Sequence, residues 1–475
     1  MSPPSPPTPR ANLGVGHWLL RRALLGGASG FLAGLACWAL LTAIDRVTAL
    51  RLDHGWLLGL LPVVGLAVGL ANHHLGGRSS EGTALLLEQI HEPSAWVPRR
   101  MAPLVAIGTV TSHLVGASVG REGTALAMSG SLTDAMARAL GLAHHERRAL
   151  LVAALAGGFG AVFGVPWAGA IFALEVQSVR RGGRLSLTRL VGSRRHRATA
   201  RFSATAAADR PAPGAVPLRR LGRAATAAAG LVVPVLAASF IGNEVVERLG
   251  YHHTGRPRLQ PVLDVALLVR VGLVAVALGL TALAFVEATD LVRLVAARVR
   301  WPPARPLLGG VAVLGLVALV GRDELGLSLP LVDAALAGHH TSWTVPALKI
   351  MLTVICLGTG FVGGEVTPLF VIGGTLGSAL GPAVGLDPVV GGAVGFVAVF
   401  GGATNTPLAC TVMGVELFGP GLTVPLAVAC VGAYWCSGGR GLYATQRMAT
   451  AEGHERIHDR PALVARLGRR HRPGR

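Results

Sequence analysis

The chain has 475 residues, 51% of them hydrophobic and only 14% charged, with a positive mean hydropathy. That composition excludes an ordinary soluble domain and reads as a polytopic membrane protein. The formal net charge of +19 does not read as a nucleic-acid surface. Aromatics are only 5%, and the basic residues sit between apolar runs, as the positive-inside rule expects of cytoplasmic segments.

Residues 1–12, MSPPSPPTPRAN, form a Pro-rich tail expected to be disordered. They lack the charged start, short apolar core and small-residue site of a cleavable signal. Apolar runs then predict membrane helices at about 17–44, 56–74, 102–118, 148–177, 224–242, 262–290, 306–320, 345–361, 369–385, 388–402 and 407–436. Several fall short of the roughly 20 residues a full span needs, and many contain Gly or Pro. Short, interrupted segments in succession predict helices that end inside the membrane and turn their termini towards a site. Residues 180–223 break the pattern with Arg180, Arg181, Arg184, Arg189, Arg194, Arg195, Arg197 and Arg201. They are expected to be a basic cytoplasmic insertion, a solvated linker beside anionic headgroups. Residues 448–475 read as a basic cytoplasmic tail. Cys37, Cys356, Cys410, Cys430 and Cys436 show no metal-ligand spacing and read as small buried hydrophobes. No metal or cofactor is expected.

Two half-repeats are predicted, 13–245 and 255–447, and each contains one acid flanked by glycine: Gly120-Arg121-Glu122-Gly123-Thr124 and Gly363-Gly364-Glu365-Val366-Thr367-Pro368. A charge at membrane depth costs roughly 2.5–3.5 kcal/mol even on insertion scales and marks a functional site. At a helix N-terminus the first N–H groups lack partners and the macrodipole adds about half a positive charge. Several such termini converging in a membrane bind an anion without a full cation, and glycine lets the backbone approach closely. A carboxylate at such a terminus has a second use. Ionised, Glu122 occupies the anion site; protonated, it leaves, so one side chain couples proton to anion movement. Glu175 and Glu416 each follow an apolar helix and a Pro-containing break, and read as paired structural acids. Glu88, Glu92 and His91 read as a helix-end cluster rather than a metal site, and His113 as a packed neutral histidine.

These motifs resemble the CLC family of anion channels and anion/proton exchangers over residues 17–180 and 240–450. Gly120–Thr124 is similar to the family's GREGP motif, with Thr124 in place of Pro, and Glu122 matches its gating glutamate. Gly360–Phe370 sits where the common branch carries GGxFxP. Gly401–Leu408 resembles the segment between the late helices, and Tyr443 matches the pore tyrosine. The family's GSGIPE stretch corresponds to Glu81–Glu88, without its Ser-Gly-Ile-Pro. GGEVTPLF, GREGT and NTPLACTVMGVELFG together resemble the fluoride-exporting branch, although Val362 stands where a basic residue is usual.

The resemblance implies an all-α polytopic membrane protein with an inverted repeat of tilted and broken helices, a homodimer with one pathway per protomer. It implies a multi-pass protein of the bacterial inner membrane, not an enzyme, that exchanges fluoride for protons. The alternative is a chloride/proton exchanger or a chloride channel of the same family. Glu122, Glu365 and Thr367 are then the gating and exchange residues. Gly82, Thr83, Ala84, Gly120, Arg121, Gly123, Gly364, Val366 and Tyr443 hold the anion. The partners are fluoride or chloride, protons and membrane lipid.

Overall fold

The computed structural model describes residues 13–179, 218–443, 445–450 and 453–456. The Pro-rich tail, residues 180–217 of the basic insertion and residues 457–475 of the C-terminal tail lie outside the described residues. The first series of helices runs α1 (Leu13–Asp53), α2 (Leu61–Ala71), α3 (Thr83–His91), α4 (Met101–Leu114), α5 (Glu122–Ala139), α6 (His144–Phe163), α7 (Pro166–Glu175) and α8 (Leu218–Arg248). The second runs α9 (Val265–Ala296), α10 (Ala304–Val320), α11 (Leu329–Leu336), α12 (Thr344–Thr359), α13 (Val366–Leu380), α14 (Pro388–Thr404), α15 (Pro407–Phe418) and α16 (Thr423–Cys436). Each series opens on a long helix, has a short third helix, and starts its fifth at an acid–glycine motif. This is the expected helical inverted repeat.

Among the described residues, five helices are long and apolar enough to cross a membrane, Val265–Ala296 being the most hydrophobic, and shorter apolar helices of 10–17 residues accompany them. The run expected at 148–177 is two helices. Gly164 takes φ 74° and ends α6, and Pro166 opens α7 one residue after Val165, where its missing N–H costs nothing. The run at 407–436 divides in the same way at Gly419, with φ 92°. Residues 218–223, expected in the basic insertion, open α8 instead. The start of the expected tail is paired: β2 (Arg447–Thr450) forms a hairpin with β3 (Gly453–Arg456) and lies parallel to β1 (Ser178–Val179).

Two features fix how the halves meet. Glu175, at the end of α7, accepts hydrogen bonds from the N–H groups of Leu408 (3.0 Å) and Ala409 (2.7 Å) at the start of α15. Glu416, near the end of α15, accepts from Trp167 (3.0 Å) and Ala168 (2.7 Å) at the start of α7. Each helix thus caps the other's orphan donors with a charged acceptor, the paired structural role its placement suggests. Behind them, Phe159 stacks on Phe172 with ring centroids 4.2 Å apart, and Phe172 meets the edge of Tyr443 at 6.5 Å. That aromatic wall holds the tyrosine in place.

A candidate ion pathway where two helix N-termini meet

The segment after α4 turns at Gly116, with φ 81°, and delivers Gly120 to Gly364. Gly120 N donates to Gly364 O at 2.5 Å, and Gly364 N donates to Gly120 O at 2.7 Å. This is an isolated antiparallel bridge between the two halves. Glycine is required here. A Cβ on Gly364 would stand 2.7 Å from Gly123 N and 3.1 Å from Glu122 N, backbone atoms that have no room to move. The bridge sets the starts of α5 and α13 against each other, with Arg121 and Glu365 as their N-caps.

Glu122, the first residue of α5, is fully buried. Its Oε2 accepts from Arg121 N (3.0 Å) and from Thr367 N (3.2 Å), and its Oε1 accepts from the Thr367 hydroxyl. Donors from the starts of both helices therefore converge on one negative group, the geometry of a helix-terminus anion site. The carboxylate supplies the negative group that these donors face.

On one side of this contact is a cavity of about 490 Å³, lined by Gly82, Thr83, Ala84, Gly123, Val362, Glu365 and Tyr443 among others. Thr83, the first residue of α3, donates its hydroxyl to Gly123 O at 3.2 Å and so ties that helix to α5. Glu365 lies beside Tyr443. The buried Tyr443 thus sets its hydroxyl, a hydrogen-bond donor, next to the Glu365 carboxyl on the wall of this cavity. Gly123 and Gly363 also line it, whereas Glu122, the chain neighbour of Gly123, is not among the lining residues.

The structure thus brings Gly82, Thr83, Ala84, Gly123, Glu365 and Tyr443 to one cavity, and Glu122 and Thr367 to the adjoining contact of the two helix starts. It places four other candidates differently. The amides of Gly120 and Gly364 bond to each other, so these residues join the helix starts. Arg121 presents only its backbone N–H to Glu122. Its guanidinium turns away, donating to Tyr251 Oη at 3.1 Å and pairing with Asp45 at 3.7 Å. Val366 follows Glu365 as the first residue of α13.

His113 is buried in α4, with Nδ1 bonded to Thr109 O at 2.8 Å. Glu88 pairs with Arg78 at 3.0 Å, and no metal-holding cluster occurs among the described residues. Sequence reasoning missed Arg293, whose side chain reaches the cavity wall from the last turn of α9. The available signal was Glu287, Asp290 and Arg293 at three-residue spacing, a charged stripe on an apolar helix.

A profile described as voltage gated chloride channel matches residues 63–194 and 221–438. The chain belongs to this family, the CLC proteins. A chloride/fluoride channel protein of Pseudomonas syringae pv. tomato is 37% identical over 456 residues, covering 94% of this chain and 88% of that relative. An H(+)/Cl(-) exchange transporter of Yersinia pestis is 28% identical over 152 residues, 29% of this chain and 31% of its own length. Among solved structures, a CLC-type fluoride/proton antiporter matches with a TM-score of 0.78 at 26% identity, covering 93% of this chain and 100% of that one. A slow cyanobacterial Cl-/H+ antiporter shares the fold, with a TM-score of 0.66 at 17% identity over 95% and 99% of the two chains. The CLC assignment makes the chain a multi-pass membrane protein of a family of anion channels and transporters. It also makes the Glu122 contact and the cavity before it the natural place to seek the ion route.

Proposed function

We propose that the protein is a fluoride/proton antiporter that exports fluoride across a bacterial inner membrane. The carrying observation is the Glu122 carboxylate, held by N–H groups of two helix starts and by the Thr367 hydroxyl. Ionised, it fills the anion position and blocks the route. Protonated, it is a poor acceptor for those donors and gives way to the anion, so each anion passage is tied to a proton. Thr367 holds the gate closed and donates to the anion when the gate opens. Glu365 exchanges protons from within the cavity. Tyr443, with the backbone N–H groups that open α3 and α5, receives the anion, and Gly120 and Gly364 keep the two helix starts in register.

Fluoride is small and a strong hydrogen-bond acceptor, which suits a site of hydroxyls and amides. The choice of fluoride over chloride is supported by two similarities, to a protein named a chloride/fluoride channel protein and to a solved fluoride/proton antiporter. The segment similar to H(+)/Cl(-) exchange transporters favours the second reading, chloride/proton exchange on the same residues. We infer a homodimer, with a boundary between the half-repeats in the loop after α8.

The deciding experiment uses the purified protein in liposomes, with an anion electrode and a pH probe, under fluoride and then chloride gradients. Wild type is expected to move fluoride outward with opposed proton flux and to prefer it to chloride. Glu122→Gln is expected to abolish the proton flux. Proton coupling that survives Glu122→Gln refutes the assignment, and equal or greater chloride turnover refutes the fluoride reading.

A further inference from the structure

The charges on the cavity wall are unevenly answered. Two acids line it, Glu81 and Glu365, and Arg293 is the one cationic residue among the lining residues. Glu81 is matched by Arg78, 3.4 Å away. Glu365 has no ion pair within 4.0 Å among the described residues, and Arg293 is the lining cation whose charge reaches it.

Packing explains how Arg293 arrives there. Gly358 in α12 lies directly against Val292 in α9, where an added Cβ would come 2.5 Å from Val292 Cγ1. The close approach of the two helices sets the next residue, Arg293, on the wall. Its ion pair with Asp290, one turn earlier, spans 3.3 Å, and the Arg293 side chain remains 48% exposed. An exposed pair of this kind holds its members only weakly. The guanidinium therefore lies on the exposed side of the cavity with Ser80 and Glu81, while Tyr443 and Thr124 are buried on its inner side and Gly123 is half-buried.

A cleft with low-dielectric walls focuses the field of its charges and concentrates counter-ions. Without Arg293, an anion moving towards Tyr443 would meet only the acidic charges of the wall. With it, the exposed side offers a permanent cation, because a guanidinium stays protonated at any working pH.

We propose that Arg293 is the anion-capturing residue of this cavity, drawing a small hydrated anion from solution and holding it at the exposed side before it reaches the buried Tyr443 hydroxyl. The inference rests on the transport reading above for its purpose, but its binding claim stands alone.

The test compares wild type, Arg293→Gln and Arg293→Lys. In liposomes, Arg293→Gln is expected to raise the half-saturating anion concentration about tenfold at low ionic strength, with the maximal rate and the proton-to-anion ratio changed less than about twofold. Added inert salt is expected to shrink the difference, because it screens exposed charges, and Arg293→Lys to restore most of the affinity. A role in packing α9 against α12 alone would lower the maximal rate irrespective of salt.

Titration calorimetry of the detergent-solubilised protein with sodium fluoride and sodium chloride supplies a readout independent of transport. Weaker binding by Arg293→Gln supports the proposal even if no coupled flux is found, an outcome that would refute only the transport reading. The capture role is overturned by half-saturation and binding unchanged within twofold, by no anion binding to wild type, or by a salt-insensitive loss that lysine does not recover.

Discussion

Gly364→Ala adds one methyl at the contact between the halves. Its carbon would lie 2.7 Å from Gly123 N, 3.1 Å from Glu122 N and 3.2 Å from Glu122 Oε2. The first two are backbone atoms at the start of α5, so relief requires α13 to move away from α5 rather than a side chain to rotate. Overpacking of this kind costs about 1–3 kcal/mol. The same movement stretches the two bridge hydrogen bonds, now 2.5 and 2.7 Å, and draws the Thr367 donors from the Glu122 carboxylate. If the strain falls on the transporting geometry, a factor of ten per about 1.4 kcal/mol predicts a roughly 5- to 150-fold slower flux. The assay is the initial rate of anion efflux from liposomes with simultaneous pH recording, beside thermal unfolding in detergent. Gly315→Ala is the control, since nothing lies within 4 Å of a methyl there, and it is expected to leave flux unchanged. Gly364→Ala with flux within twofold of wild type and unaltered unfolding would refute the view that the backbone bridge sets the site.

The reciprocal caps predict matched losses. Glu175→Gln and Glu416→Gln each turn an amide NH₂ towards a backbone N–H and are expected to destabilise by about 1–3 kcal/mol, read as similar drops in unfolding temperature; a drop in only one would contradict the reciprocity. Lys349 is buried, and its Nζ donates to Glu324 O (2.9 Å), Gly326 O (2.6 Å) and Ser328 Oγ (2.9 Å). Lys349→Met orphans the two carbonyls and is expected to cost about 2–4 kcal/mol, with faster proteolysis in the loop after α10. His253, on the loop between α8 and α9, is pushed down to about 4 by burial, with the Arg121 charge adding to the effect. The unfolded chain therefore takes up this proton first as pH falls. The stability from neutral His253 is complete above about 6.5 and is lost as pH drops towards about 4. His253→Gln is expected to flatten unfolding temperature against pH across that window, and an unchanged slope would remove His253 as its source.

What the sequence made legible follows from what the backbone demands. The acid–glycine motifs stand out because a bridge between two helix starts tolerates no side chain at Gly120 or Gly364. The pairing of Glu175 with Glu416 could be read from their matching places after Pro166 and Pro407. The break at Gly419 could not, because a single glycine at positive φ interrupts a helix without interrupting the apolar run around it. The direction of the Arg121 side chain was equally hidden, since Tyr251 and Asp45 reach it from remote parts of the chain. Arg293 was obscured by composition. In a chain with so many arginines between apolar runs, one at a helix end reads as an interfacial charge until the fold shows that a cavity opens beside it.

The Gly120–Gly364 bridge also fixes how the two motifs compare, position by position. Arg121 corresponds to Glu365, and Glu122 to Val366. The acids are therefore one residue out of phase: one is the cap of its helix, the other the first residue within it. Perfect internal symmetry would have set two like charges against each other at a single level, where repulsion would leave both unable to ionise together. The slip sets one carboxyl on a cap and the other inside a helix, so the proposed antiport would offer a travelling proton two successive perches rather than a shared one.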